Sequence, residues 1–324
     1  MMKSIRDKKK VFITGQIPEI AVNLLRKKNL NVKVYKNNNT ITNSDLIKNV
    51  KDVDAVISLL SDRFDSKIID KMKECKIIAN YAVGYNNIDV EYANNNGIIV
   101  TNTPDVLTDS TADLAITLAL ACARRVIEGD KLVRSKKFKG WKPKLLLGIE
   151  LRNKNFGILG AGRIGSAVAV RAKAFGSKIT YYSRSKKEEL EIKADAKKVS
   201  LNKLLKDSDF ISVNLPLKED TYHLLNKERL KLLKKTGILI NTARGEIVDE
   251  KELIKLLKGK KIFAAGFDVY ENEPDINPEL LSLDNVVLLP HIGSATEDTR
   301  NAMAELAAKN VINVLDGKKP LTPV

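Results

Sequence analysis

The chain contains few of the residues that form disulfide bonds or bind metals. Its 324 residues include two cysteines, Cys75 and Cys122, and two histidines. Two distant cysteines cannot build a disulfide framework or complete a zinc site, so neither a small secreted scaffold nor a metal site is expected. We interpret both cysteines as small buried apolar residues of a protein in a reducing cytoplasm.

Long apolar runs are also missing. The longest, Leu114–Ala123, has ten residues, whereas a membrane helix needs about 20. The basic start is followed by only four apolar or small residues before Gly15, too few for a signal peptide. We therefore expect a cytoplasmic protein that does not contact a membrane.

Acidic residues are outnumbered, which gives a formal net charge of +16 from 56 Lys and Arg against 40 Asp and Glu. Such charge is compatible with a nucleic-acid partner. However, the lysines lie in short scattered runs mixed with acidic residues, and no aromatic residues alternate with them. This pattern favours a solvated lysine-rich surface, and no nucleic-acid partner is expected.

Short β-branched runs alternate with amphipathic stretches along the chain, which predicts an α/β fold with parallel sheets. The length and the 44% hydrophobic content predict two domains. Strands buried on both faces are predicted at 11–15, 32–35, 55–60, 76–82 and 98–103, and further strands at 155–160, 178–183, 210–216, 237–243, 262–269 and 285–290. Helices are predicted at 19–28, 66–74, 108–127, 163–175 and 297–315.

Two of these helices carry further predictions. The helix at 108–127 has Asp109 or Ser110 as its predicted N-cap, and a loop containing Trp141 follows it. The helix at 297–315 comes after a complete second domain, so we expect it to pack back on the first domain.

A glycine motif lies between the predicted strand at 155–160 and the predicted helix at 163–175. Gly160, Gly162 and Gly165 have the GxGxxG spacing, and Gly176 is expected to end the helix. Such a turn brings the backbone close to a pyrophosphate at a helix N-terminus. The motif therefore predicts a dinucleotide site that includes Gly160, Ala161, Gly162, Arg163, Ile164 and Gly165.

The next strand ends in an unusual sequence for such a site. An NAD site commonly has Asp or Glu at this point, where the carboxylate binds the adenosine ribose. Here Ser183, Arg184 and Ser185 are followed by two lysines, a set that suits a 2′-phosphate. We predict NADP(H) as the preferred cofactor and NAD(H) as a possible one; the alternative is a solvated basic strand end.

Several motifs together resemble the D-isomer-specific 2-hydroxyacid dehydrogenase family. They are "NYAVGYNNID" (80–89), the glycine motif, "NTARGEIVDE" (241–250), "AGFDVYENEP" (265–274) and "LPHIGSAT" (289–296). The resemblance covers the whole chain and implies two Rossmann-like parallel-sheet domains, one flavodoxin-like and one dinucleotide-binding. It implies a substrate-binding domain at 1–103 and 291–324, with an NAD(P)-binding domain at 104–290 inserted.

The resemblance also implies the catalytic residues. Arg244 would grip the substrate carboxylate and 2-oxo oxygen, His291 would donate the proton, and Glu273 would orient His291 and favour its imidazolium form. Glu271 is a nearby alternative to Glu273, whereas the context of His223 indicates a structural role.

Substrate and cofactor contacts are implied in the same way. Val83 and Gly84 would hold the substrate carboxylate through their N–H groups. Asn86 stands where the family more often has Asp, and little consequence is expected. Further cofactor contacts are implied for Thr108, Pro216, Thr242, Ala243, Asp268 and Gly293.

Within the family, "YYSRS" and "GWKP" resemble the glyoxylate and hydroxypyruvate reductase branch. The resemblance implies NADPH-dependent reduction of a small 2-oxo acid to a D-2-hydroxy acid. It also implies a homodimer joined by residues 104 to about 148, with Trp141 reaching the partner's substrate site.

Two alternatives stay open. One is a D-3-phosphoglycerate dehydrogenase or another D-2-hydroxyacid dehydrogenase, although the chain stops at Val324 without the regulatory domain of many phosphoglycerate enzymes. The other is an NAD(P)-sensing, corepressor-like binding protein. Such a protein would keep Arg244, Glu273 and His291, but its function would not require the turnover of a substrate.

Overall fold

The computed structural model describes residues 8–37 and 39–324. Most of the start of the chain, for which no signal peptide is predicted, lies outside these residues. The chain divides into two compact units: the first runs to Leu107 and includes Ser294–Val324, and the second is Thr108–Gly293. Both boundaries lie a few residues beyond the predicted ones, and the assignment of substrate to one unit and cofactor to the other stays a prediction.

The first unit contains a five-stranded parallel sheet in the order β2-β1-β3-β4-β5, the order of a flavodoxin-like fold. Its strands are β1 (Lys10–Ile13), β2 (Asn31–Val34), β3 (Ala55–Ser58), β4 (Ile77–Asn80) and β5 (Ile99–Thr101). Its helices are α1 (Glu19–Lys27), α2 (Asn43–Val50), α3 (Ser66–Ile69), α4 (Val90–Asn95) and α13 (Glu297–Leu315).

The first unit corrects two predictions, one on the burial of a strand and one on the length of a helix. Every residue of β3 and β4 is buried, as expected for central strands of a sheet covered on both faces. In contrast, no residue of β2 is fully buried, because β2 is an edge strand. The predicted helix at 66–74 is also shorter: only Ser66–Ile69 is helical, although Met72 is still buried.

The second unit contains a seven-stranded parallel sheet in the order β12-β11-β10-β9-β6-β7-β8. Its strands are β6 (Asn155–Leu159), β7 (Lys178–Tyr182), β8 (Lys197–Lys198), β9 (Phe210–Val213), β10 (Ile238–Asn241), β11 (Ala264–Phe267) and β12 (Val286–Leu288). Its helices are α5 (Thr108–Ala123), α6 (Val126–Arg134), α7 (Arg163–Ala174), α8 (Glu188–Ala194), α9 (Leu201–Asp207), α10 (Lys227–Leu230), α11 (Glu250–Lys258) and α12 (Pro278–Leu281). The two sheets confirm the predicted α/β class.

The helix predicted at 108–127 is in fact two helices. α5 ends at Ala123, whose carbonyl accepts a hydrogen bond from the Ile149 N–H at 2.9 Å. Arg125 then adopts a left-handed φ of 54°, which breaks the helix before α6 begins. The predicted N-caps are wrong, because α5 begins at Thr108 and both Asp109 and Ser110 lie inside it.

Both cysteines are free and buried, and burial raises the pKa of each thiol to about 12. This confirms that Cys75 and Cys122 pack as apolar side chains, because a thiol with so high a pKa is not a reactive thiolate at neutral pH. In the part of the chain that the structure describes, no helix is long and apolar enough to cross a membrane.

Candidate active site

The glycine motif forms the turn between β6 and α7. Gly160 has a φ of +99°, a conformation that side chains disfavour, and its N–H donates to the Tyr182 carbonyl at 3.0 Å. A Cβ on Gly165 would lie 2.0 Å from the Gly160 carbonyl oxygen, so only glycine lets the helix approach the strand. A Cβ on Gly162 would meet no described atom within 4 Å, which keeps the start of α7 accessible. The turn therefore suits the pyrophosphate of a dinucleotide.

The basic sequence at the end of β7 lies on the same side of the sheet. Ser183 donates to the Ser185 carbonyl oxygen, and Arg184 is exposed. Its Nη2 atom lies 2.7 Å from Oδ2 of Asp220, in the loop after β9. This ion pair could not be predicted from the sequence, because it joins residues 36 positions apart.

Arg244 lies in the turn after β10 and is partly buried. Asn241, the last residue of β10, is buried, and its amide holds this turn by two hydrogen bonds: its Oδ1 accepts from the Ala243 N–H at 3.1 Å, and its Nδ2 donates to the Arg244 carbonyl at 2.8 Å. Burial lowers the pKa of the Arg244 guanidinium, and the charges of Glu273 and Glu246 oppose this effect. An arginine remains a cation under such conditions, so the site holds a fixed positive fork.

His291 and Glu273 form a pair at the neighbouring strand ends. The His291 Nδ1 atom lies 2.8 Å from Glu273 Oε2, and the other carboxylate oxygen accepts from the Tyr270 N–H at 2.9 Å. Burial acts to raise the pKa of Glu273, but the bonds and charges of His291, the Tyr270 N–H and Arg244 lower it overall. Glu273 is therefore a carboxylate at neutral pH and can orient the imidazole.

The backbone around His291 is held by Asp268, which follows β11. The Asp268 carboxylate accepts the N–H groups of Ile292 and Gly293, each at 2.7 Å. Thr111 of α5 donates to the Gly293 carbonyl at 3.2 Å. His291 has a left-handed φ of 55°, an unusual conformation for a residue with a side chain, and these contacts hold it there.

The remaining residues predicted to contact the cofactor lie at the same edge of the second sheet or at the start of α5. Thr242 is notable because its hydroxyl is buried and finds no hydrogen-bond partner among the described residues. Four other buried hydroxyls among the described residues also have no partner, so this hydroxyl is available to a ligand but does not identify one. Pro216 is exposed and its carbonyl accepts from Thr221 at 2.7 Å, while Thr108 is the first residue of α5.

Val83 and Gly84 belong to the first unit, in the turn that follows β4. Asn102 donates to the Val83 carbonyl and Asn80 to the Gly84 carbonyl, both at 2.8 Å. In a planar trans peptide the C=O and the following N–H point in opposite directions. Because the Val83 carbonyl faces Asn102, the Gly84 N–H points away from Asn102. Trp141 lies in the segment after α6 and is 83% exposed.

In the structure each of the two candidate glutamates pairs with a different histidine. Glu273 pairs with His291, whereas Glu271 pairs with His223 through an Nε2 to Oε1 distance of 2.8 Å. The pairing of His223 and the contacts of Asn241 and Tyr270 were not predicted from the sequence. Asn241 stands in the motif "NTARG", where a buried polar residue ending an apolar strand was the available signal.

Comparison with known proteins connects this geometry to a family. Residues 116–293 match the model described as D-isomer specific 2-hydroxyacid dehydrogenase, NAD binding domain. The chain is 51% identical over 321 residues to a glyoxylate reductase of Pyrococcus horikoshii, covering 98% of this chain and 96% of the relative. The chain belongs to this family. A glyoxylate reductase of Thermococcus kodakarensis is 52% identical over 319 residues, covering 97% and 96% of the two chains.

Solved structures agree with this assignment. An NADPH-dependent glyoxylate/hydroxypyruvate reductase of Sinorhizobium meliloti, in complex with NADP and malonate, matches with a TM-score of 0.86 and 33% identity over 98% of this chain and 97% of that chain. A Thermus thermophilus protein matches with a TM-score of 0.92 and 42% identity over 97% and 99% of the two chains. The protein is therefore an oxidoreductase that uses a nicotinamide dinucleotide.

Proposed function

We propose that this dehydrogenase is an NADPH-dependent glyoxylate/hydroxypyruvate reductase, which reduces a small 2-oxo acid to a D-2-hydroxy acid. The observation that carries the proposal is the 2.8 Å pair of His291 and Glu273. The pair joins the segments after β12 and β11, and β11 lies next to β10, the strand that presents Arg244. Relatives named glyoxylate reductase, 51% and 52% identical to this chain, support the choice of substrate.

Binding of the 2-oxo acid would depend on Arg244. Its planar fork of N–H groups matches a carboxylate oxygen and the 2-oxo oxygen at the same time. The Asn241 amide holds the Arg244 turn and thereby limits the directions in which the fork can point. When bound, the nicotinamide would supply the hydride to the carbonyl carbon.

Proton donation would come from His291. Its Nδ1 faces Glu273, so the Nε2–H of the imidazolium remains to donate to the 2-oxo oxygen. The carboxylate favours the charged ring, and the two Asp268 hydrogen bonds to the following backbone hold the ring's position. In this arrangement Glu273 and Asp268 act on the substrate only through His291.

The preference for NADPH follows from the end of β7. Ser183, Arg184 and Ser185 supply hydroxyls and a positive fork, and no carboxylate stands at 183–187 to repel a 2′-phosphate. The phosphate would compete with Asp220 for Arg184, a pair whose side chains are 74% and 60% exposed. Exposed pairs contribute only about 0.2–1 kcal/mol, so a phosphate with two charges should displace the aspartate.

A homodimer is part of the proposal. Helix α6 buries none of its residues within the described chain. It belongs to a concentrated apolar surface in residues 126–147, formed by Val126, Ile127, Val133, Phe138, Trp141, Leu145 and Leu147, all more than a third exposed. Exposed apolar side chains concentrated in one segment favour a protein interface, and a second copy of the chain is the proposed partner.

The test is a rate comparison on the purified protein. NADPH and NADH are each offered with glyoxylate, hydroxypyruvate, 3-phosphohydroxypyruvate and larger 2-oxo acids, and kcat/KM is measured from loss of the reduced cofactor. The proposal predicts the highest values for NADPH with glyoxylate or hydroxypyruvate. Faster reduction of the phosphorylated substrate would favour the phosphoglycerate alternative, and absence of turnover together with salt-sensitive DNA retention would favour a corepressor-like protein.

A further inference from the structure

A second histidine and carboxylate pair lies outside the proposed chemistry. His223 Nε2 and Glu271 Oε1 are 2.8 Å apart, and their side chains are only 28% and 19% exposed. The ring of Tyr222 stacks on the imidazole with 4.2 Å between ring centroids. A partly buried and stacked pair has less freedom and less solvent screening than the exposed ion pairs of this protein.

The pair spans three neighbouring loops. His223 lies in the loop after β9, and Glu271 lies in the loop after β11. In the sheet β10 lies between these two strands, and the loop after β10 carries Arg244. The His223 N–H donates to the Glu246 carbonyl at 2.8 Å, so the loop after β9 also holds the loop that carries Arg244.

The loops after β10 and β11 touch through their backbones. A Cβ on Gly245 would lie 1.9 Å from the carbonyl carbon of Tyr270 and 2.2 Å from the nitrogen of Glu271. The glycine therefore lies directly against the chain that leads to Glu273. Because the Tyr270 N–H binds Glu273, any movement of residues 270–271 also moves the carboxylate that faces His291.

The loop after β11 has unfavourable charge of its own. Glu271 and Glu273 are two residues apart, and Glu250 of α11 accepts a weak hydrogen bond from the Glu271 N–H at 3.5 Å. Burial and the charge of Glu271 both raise the pKa of Glu250, which reflects this crowding of carboxylates. His223 contacts Glu271 at the point where these carboxylates are crowded, with 2.8 Å between Nε2 and Oε1.

We propose that His223 and Glu271 form a clamp across the Arg244 loop, which fixes Glu273 relative to Arg244 and His291. Both are positioning residues, because neither is placed to touch the substrate or the reacting atoms. This inference rests on the proposed roles of Arg244, Glu273 and His291. A misplacement of about 1 Å at reacting groups can lower a rate about 100-fold, so a clamp of this kind would be visible in kcat.

The variants are His223→Ala, Glu271→Ala, the double variant and His223→Gln, which keeps an N–H donor. The alanine variants should lower kcat about 10- to 100-fold, because Arg244 and Glu273 lose their fixed relative positions. The high-pH fall of reductive activity should move to lower pH, since Glu273 would stabilise the imidazolium of His291 less well. The double variant should be no worse than either single variant, and His223→Gln should recover much of kcat.

A matched control is Glu279→Ala, which removes the 2.8 Å pair with Lys258 between α11 and α12 and should change neither kcat nor the pH profile. Hydrogen exchange of residues 242–249 and 268–274 gives a readout that needs no turnover, and both segments should exchange faster in the alanine variants. Normal exchange, normal kcat and an unchanged pH profile in His223→Ala would overturn the clamp. If the unmodified protein reduces no 2-oxo acid, the proposed function fails, and the exchange rates alone decide whether the loops are clamped.

Discussion

Replacing Gly245 by alanine should displace the loops that carry Arg244 and Glu273 without removing either side chain. The added Cβ would lie 1.9 Å from Tyr270 backbone, whereas ordinary contacts begin at 3.4 Å, so the two loops must part by about 1.5 Å. Backbone atoms cannot rotate away as a flexible side chain can. We expect kcat to fall about 100-fold or more, because the displaced loops carry Arg244 and Glu273. Overpacking should also lower the free energy of unfolding by about 1–3 kcal/mol.

The assay compares kcat, the KM for NADPH and thermal unfolding in Gly245→Ala and in Gly259→Ala. Position 259 is a matched control, because its added Cβ would approach the Lys255 carbonyl oxygen only to 3.2 Å and needs a shift of a few tenths of an ångström. The control should retain activity. A folded Gly245→Ala protein with the kcat of the unmodified protein would refute the idea that this backbone contact positions the catalytic loops.

The other predictions concern cofactor, pH and assembly. Ser183→Asp combined with Arg184→Ala should shift preference from NADPH toward NADH in kcat/KM, and equal use of both cofactors by the unmodified protein would contradict the argument. Glu273→Gln should move the high-pH fall of reductive activity to lower pH, because the carboxylate, whose pKa is lowered in the fold, no longer stabilises the imidazolium of His291; an unchanged pH profile would argue against this coupling. Trp141→Ala should alter substrate preference and leave cofactor binding nearly intact, and an active monomer in sedimentation would exclude the proposed dimer.

The strands could be predicted from the sequence because parallel strands covered on both faces are short apolar runs. The position of each strand in the sheet could not be predicted from the sequence. Strand β2 has the same kind of sequence as its neighbours, but it lies at an edge and none of its residues is fully buried. The break after α5 was missed for a related reason. It depends on Ile149 binding the Ala123 carbonyl, a contact with a distant part of the chain.

The candidate site was predicted mainly through motifs, which give residue types and spacing but not partners. The spacing left both Glu271 and Glu273 open as partners of a histidine, and only the folded loops assign one to each ring. The Arg184 pair with Asp220 could not be predicted either, because it joins the end of β7 to the loop after β9. Contacts between loops of different strands are set by tertiary packing, which local sequence does not encode.

The most direct test of the account is the turnover of His291→Ala with glyoxylate and NADPH across the pH range. If His291 donates the proton, kcat should fall about 10²- to 10⁴-fold, with NADPH affinity retained because the glycine motif is untouched. Arg244→Lys serves as the comparison and should weaken substrate binding as well as rate, because an ammonium cannot reproduce a two-oxygen grip. Near-normal turnover by folded His291→Ala would mean that the proton comes from another group, and the proposed mechanism would be wrong.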